Sequence, residues 1–232
     1  MHYYSQTKQA VEETFNRVIE YYGLYEYEHR AKLSQIMNNP YHNDYHTRCV
    51  VVNCAEGASF CGLSYDATVD LLTAALFHDS MHSGGYHNDD KNISDAISCF
   101  ASDHGHLTFS SKIAKFIRAT KYPFEPELVP YPVEVQILRD ADIMQSLMPE
   151  WESMYKGLQL EVSYQQRKLI SDKGWYDGTV DFYNNAELFT DWAIAKIRCF
   201  RDKVGVSSVG SKKYHYGWLD WNMENQQIAE SE

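Results

Sequence analysis

Two histidine pairs and one aspartate cluster are the residues of this chain whose types and spacing suit chemistry. His42 and His46 stand four apart in Tyr41-His42-Asn43-Asp44-Tyr45-His46, and His78-Asp79-Ser80-Met81-His82 repeats the interval. Residues four apart on a helix are neighbours, so each pair can bring two imidazoles together. Asp140-Ala141-Asp142 supplies carboxylates from a third segment. A lone His-Asp dipeptide carries little, but three clusters, each beside an apolar run, point to a bound cation. Imidazole and carboxylate suit divalent Zn, Mn, Fe or Mg. A site of His46, His78, Asp79 and Asp142 contains no thiolate and leaves positions open for water, as a catalytic metal requires.

These groups need elements to hold them. Leu71-Leu72-Thr73-Ala74-Ala75-Leu76-Phe77 is apolar on nearly every side, which predicts a helix buried all round. Its polar end is costly to bury unless something compensates it. Ser64 or Asp66 caps this helix, which is expected to run to about His82. The valines of Cys49-Val50-Val51-Val52 look strand-like, yet Ala55, Ala58, Phe60 and Cys61 continue at helical spacing to Gly62, which predicts one buried helix. Further helices are expected at about 5–22, 25–37, 92–102, 108–120, 135–147, 149–171 and 180–204. Asp140 is expected on a different face from Asp142, behind the ligands or exposed. With weak strand signals and no internal repeat, the chain reads as all-α.

Composition narrows the class. The 232 residues suit one large domain with short additions, divided as an N-terminal helical pair (1–37), a core (38–204) and a C-terminal appendage (205–232) bearing Tyr214, Tyr216, Trp218 and Trp221. A formal charge of −11 argues against a long nucleic-acid partner, which needs basic stripes. It is compatible with a small anionic substrate, because cations reverse the field inside one cleft. Arg118, Lys121 and Arg139 lie near the expected cleft and suit phosphate. The five cysteines form no Cys-x-x-Cys pair and read as reduced thiols. The absence of a signal peptide and of a membrane-length apolar run leads to an expected cytoplasmic location, with no membrane partner. A homo-oligomer is compatible with all of this.

The order His…His-Asp…Asp on helices resembles the HD superfamily of metal-dependent phosphohydrolases. Tyr41-His42-Asn43-x-x-His46 and His78-Asp79-x-x-His82-x-Gly84 are similar to the two signature motifs of class I cyclic nucleotide phosphodiesterases. Ala119-Thr120 and Ala141-Asp142-Ile143 resemble further segments of that family. The resemblance covers about residues 40 to 147. After Asp142 there is no match to the family's glutamine and phenylalanine purine clamp, and Lys121 stands where an acidic residue is common.

The resemblance implies an all-α HD-type bundle around a metal site and two divalent ions among Zn, Mn, Mg, Fe, Co or Ni. It implies that His46, His78, Asp79 and Asp142 hold the first ion and that Asp79 bridges to the second. His42 would protonate the leaving oxygen. His82 would contact the phosphate and the bridging water, and Tyr41 and Asn43 would orient the first motif at the substrate. The implied reaction is hydrolysis of a nucleotide phosphodiester, cyclic nucleotides first, by a hydroxide between two cations. The alternatives are linear nucleotides (deoxynucleoside triphosphates or guanosine tetraphosphate) and a di-iron oxygenase on the same scaffold. The oxygenase would recruit His87, His104 or His106 as extra ligands.

Overall fold

A computed structural model describes residues 8–35, 39–84, 89–103, 107–122, 131–144, 151–175 and 188–204. Nine helices span these residues: α1 (Lys8–Tyr22), α2 (Tyr25–Leu33), α3 (Asp44–Phe60), α4 (Tyr65–Phe77), α5 (Asp89–Asp103), α6 (Leu107–Arg118), α7 (Val133–Met144), α8 (Trp151–Gln166) and α9 (Asp191–Val204). A single helical turn follows α8 at 172–175, and no strand occurs among the described residues. The fold is an all-α bundle, as the helical spacing predicts. None of these helices is long and apolar enough to cross a membrane.

Helices α3, α4 and α7 pack on one another at the centre. Val50, Val51 and Cys54 of α3 and Leu71, Leu72, Ala74, Ala75 and Phe77 of α4 are fully buried, with Ile137, Leu138 and Ala141 of α7 beside them. The valine run is therefore helix, because burial on several sides outweighs its β-branched preference. The N-terminal pair lies outside this centre, α1 on α3 and α2 on α4, while α5 and α6 flank α4. Arg48 fastens α1 to α3. Its guanidinium reaches Asp44 (2.6 Å) and Glu12 (3.1 Å) and lies 4.5 Å from the Phe15 ring centre. Helix α9 closes the other side, where Gly57 lets Trp192 and Ile137 approach. A Cβ there would stand 2.7 Å from Ile137 Cγ2 and 2.9 Å from Trp192 Cε3.

Several boundaries differ from the sequence expectation. Ser64 caps α4 through Ala67 N–H, but the helix stops at Phe77 and not near His82. Three-residue turns replace it: Ser80 N–H donates to Phe77 O and His82 N–H to Asp79 O, and Met81 adopts a left-handed φ of 62°. His78 and His82 therefore do not share a helical face. Helix α9 begins at Asp191 because Thr190 caps it, its Oγ1 accepting from Ala193 N–H (3.2 Å), and Asp140 holds that cap in place. The Asp140 carboxylate accepts from Phe189 N–H (2.8 Å), Thr190 N–H (2.8 Å) and Thr190 Oγ1 (2.7 Å). Asp140 is thus fully buried, not exposed. Residues 205–232, with their aromatic patch, and His87, His104 and His106 lie outside the described residues.

Candidate metal centre and its acid pair

The capping of α3 sets the first motif. Asn43 accepts from Tyr45 N–H (3.0 Å) and His46 N–H (3.2 Å), and its side-chain amide donates to the carbonyls of Asn39 and Pro40 (3.1 Å each). This starts the helix so that His46 falls on its first turn, facing the core. His78 and Asp79 arrive from the turn that ends α4, and Asp142 from α7.

Four donor atoms from these three elements converge. His46 Nε2 lies 3.1 Å from Asp79 Oδ2, 3.1 Å from Asp142 Oδ1 and 3.3 Å from His78 Nε2. His78 Nε2 lies 3.2 Å from Asp79 Oδ2 and 3.7 Å from Asp142 Oδ1. Two ligand atoms at about 2.1 Å from one cation stand roughly 3.0–3.4 Å apart at octahedral or tetrahedral angles. Four of the five separations have that spacing; His78 Nε2 to Asp142 Oδ1 is wider at 3.7 Å, and the set within mutual ligand reach is His46, His78 and Asp79. The structure brings together all four residues that the sequence singles out as ligands.

The protonation pattern fits a cation. His78 Nδ1 lies 2.8 Å from Ala75 O and donates to it, so once Nε2 gives up its proton its lone pair faces the cluster. Asp79 Oδ2 is buried yet accepts no hydrogen bond from a described donor. An orphaned carboxylate oxygen is costly, and a cation shared with the two imidazoles would satisfy it. The charges agree. Burial pulls His46 down, but the Asp142 and Asp79 carboxylates outweigh it and raise the ring to about 9. Burial likewise opposes, and the same carboxylates outweigh it, in raising His78 well above its ordinary value. Both carboxyls sit below the ordinary range because the imidazoles overcome their burial. The cluster asks for positive charge at its centre.

A second group adjoins the first. His42 Nδ1 lies 2.6 Å from Glu161 Oε2, and Glu161 Oε1 accepts from Tyr41 N–H (2.6 Å) and His42 N–H (2.8 Å). Burial works against the charged form of Glu161, but the bond from His42 and those from the two amides bring its carboxyl to about 2. It is a carboxylate at any working pH, so Nδ1 carries the ring proton and Nε2 is turned away from Glu161. Helix α8 can come this close only because residue 157 is glycine. A Cβ at Gly157 would stand 2.6 Å from Pro40 O. Glu161 follows one turn later. His42, His82 and Glu161 also lie within metal-ligand reach of one another, but both Glu161 oxygens are already committed to hydrogen bonds.

Other expected site residues take different places. The His82 ring stacks on His42 at 3.8 Å. Its Nδ1 accepts from Gly84 N–H (3.1 Å), and its Nε2 lies 3.0 Å from the Asn92 side-chain amide. With Nδ1 accepting, the neutral ring carries its proton on Nε2 beside the Asn92 amide, and the stack sets His82 against His42. Burial, reinforced by His42, holds the His82 ring down at about 3, hence neutral. Asn43 is spent on capping. Tyr41 is buried, with its ring centre 4.8 Å from that of His42 and 5.0 Å from that of His46. Both support the first motif.

Sequence reasoning missed Glu161 and Asn92. Glu161 lies 119 residues from its partner, and no short motif joins them. Its only trace is Gly157-x-x-x-Glu161, a glycine one turn before an acid on the buried face of α8. Asp89 opens α5. Burial pushes its carboxyl up, the hydrogen bond from Tyr122 N–H (3.1 Å) opposes this, and the Asp142 and Asp79 charges add to it. No protein-family model matches the chain, and no curated protein is detectably similar to it.

Proposed function

We propose that the chain is a metal-dependent phosphohydrolase that cleaves a phosphoester of a nucleotide, built on the HD plan that its motifs resemble. The observation that carries the reading is the four-donor cluster of His46, His78, Asp79 and Asp142 with the His42–Glu161 pair beside it. A divalent cation held by those four residues supplies Lewis-acid polarisation of a phosphoryl oxygen and acidifies water. A second cation rests on the resemblance alone.

The chain's own residues supply the remainder. Hydrolysis forms one P–O bond from water and breaks the ester P–O bond, leaving an alkoxide. His42 gives that oxygen a proton, and the proton released by the attacking water restores His42 over the cycle. Glu161 aims the ring and balances its charge while it carries two protons. An acid pair of this kind suits a poor leaving group, such as the ribose oxygen of a cyclic nucleotide or the ester oxygen of a linear one. Tyr41 and the stacked His82 hold His42 in place and exclude water from one side of it.

The test is to strip the protein with chelator, reload it with Mn, Mg, Co, Ni or Zn, and separate the products of a nucleotide panel by chromatography. Metal-dependent hydrolysis that disappears in Asp79→Ala is expected. No turnover of any nucleotide by protein with measured metal would overturn the proposal.

A further inference from the structure

A cleft of about 350 Å³ lies between α5, the end of α6 and α7. Arg118, Lys121 and Arg139 line it, opposed by one carboxylate, Asp90. Three cations against one anion leave a local excess of two positive charges in a chain whose formal total is −11. Ser94 and Ser98, four apart on α5, add hydroxyl donors to the same wall.

The cations are held in ways that suit an anion. Arg139 is only 3% exposed. Its Nε donates to Ala119 O (2.6 Å), and its guanidinium lies 4.1 Å from the Tyr131 ring centre. A guanidinium braced in this way is pre-organised and loses little freedom on binding. Arg118 forms no ion pair among the described residues. Lys121 pairs with Asp90 (2.6 Å), whose side chain is 86% exposed. An exposed pair of that kind is weak and can be exchanged for an incoming anion.

Cleft and metal centre draw on the same two helices, α5 and α7. Arg139 precedes Asp142 by three residues on α7, about 4.5 Å of helical rise. On α5, Asn92 touches His82 while Ser94 lines the cleft. Asp89 Oδ2 accepts from Tyr122 N–H, which ties the start of α5 to the residue after Lys121. The cationic cleft is thus built on α5 and α7, the helices that also carry the His82 partner Asn92 and the ligand Asp142.

We infer that the Arg118–Lys121–Arg139 cleft binds a second phosphoryl group of the substrate, so that the preferred nucleotide ester carries two phosphoryl groups and is not a cyclic monophosphate. This rests on the phosphohydrolase reading and names its substrate class. The guanidinium forks match phosphoryl oxygens in bidentate fashion, and a cyclic monophosphate has only the one group to offer.

Two measurements on the full chain test this, using Arg118→Ala/Lys121→Ala, whose side chains reach solvent. The first is calorimetric binding of pyrophosphate to the metal-free protein. Binding at least tenfold weaker in the variant is expected, and no binding, or equal binding, would overturn the inference. The second uses metal-loaded protein and reads the ratio of kcat/KM for a nucleoside 3′,5′-bisphosphate to that for a cyclic nucleotide. The ratio should exceed one in the wild type and fall at least tenfold in the variant. An unchanged ratio, or inhibition by free pyrophosphate that does not compete with the bisphosphate, would overturn it by marking a separate anion site. If no ester turns over at all, the phosphohydrolase reading fails, and pyrophosphate binding still decides the character of the cleft.

Discussion

Replacing Glu161 by glutamine isolates the acid pair from the metal. In the wild type, Oε2 takes the Nδ1 proton of His42 at 2.6 Å, while Oε1 holds the Tyr41 and His42 amides. Glutamine keeps one oxygen for those amides and turns an NH2 toward Nδ1. A doubly protonated ring would then set N–H against N–H, so His42 is driven to the tautomer protonated only at Nε2 and loses its acid form. General-acid catalysis is worth about 10²–10⁴-fold, and loss of about 10²–10³-fold in kcat is expected for an ester with an alkoxide leaving group. A p-nitrophenyl ester needs no such proton, so its kcat should fall far less. Metal content should be unchanged. Stability gives an independent readout. A carboxyl held at about 2 in place of its ordinary 4.5 contributes roughly 3 kcal/mol. That contribution is full above pH 4.5 and is lost as the pH falls through about 2. The stability difference between wild type and Glu161→Gln should therefore shrink on acidification, read by denaturant unfolding at several pH values. Equal loss of kcat on both esters, or no loss on either, would refute the account of His42.

Other substitutions separate the remaining parts. Asp142→Asn should abolish stoichiometric metal binding, measured by elemental analysis, while far-UV circular dichroism stays helical. Gly157→Ala should drive α8 from Pro40 at a cost of about 1–3 kcal/mol and reproduce the selective kcat loss of Glu161→Gln. Asp140→Ala strands the Phe189 and Thr190 amides that precede α9, which should destabilise the fold by about 1–3 kcal/mol and leave metal content intact. Arg48→Met loosens α1 from α3 and should lower stability by about 1–3 kcal/mol with no change in bound metal.

The His–Asp cluster was readable because its residues come in short, spaced motifs on strongly apolar helices. His46, His78, Asp79 and Asp142 each announce themselves locally, and the helices beneath them follow from periodicity. What was not readable depends on tertiary contact. Glu161 meets His42 across 119 residues through a helix whose approach rests on one glycine. Asp140 looks redundant beside Asp142 until the chain returns at Phe189 and Thr190, whose amides it holds. The position of His82 turns on the three-residue turns that follow Phe77 and on Met81, whose left-handed φ of 62° redirects the chain just before it. The His-x3-His interval predicts a helical pair, and those turns override it. Arg118, Lys121 and Arg139 lie within 21 residues of one another, but only the packing of α5, α6 and α7 makes them a cleft.

The central claim is that the four-donor cluster holds a catalytic cation. The most direct measurement titrates a stripped preparation with divalent metal, following bound metal and nucleotide hydrolysis in the same samples. Hydrolysis should rise in step with occupancy and vanish in Asp142→Asn. Full occupancy without hydrolysis, or hydrolysis that persists undiminished after the metal is stripped, would contradict it.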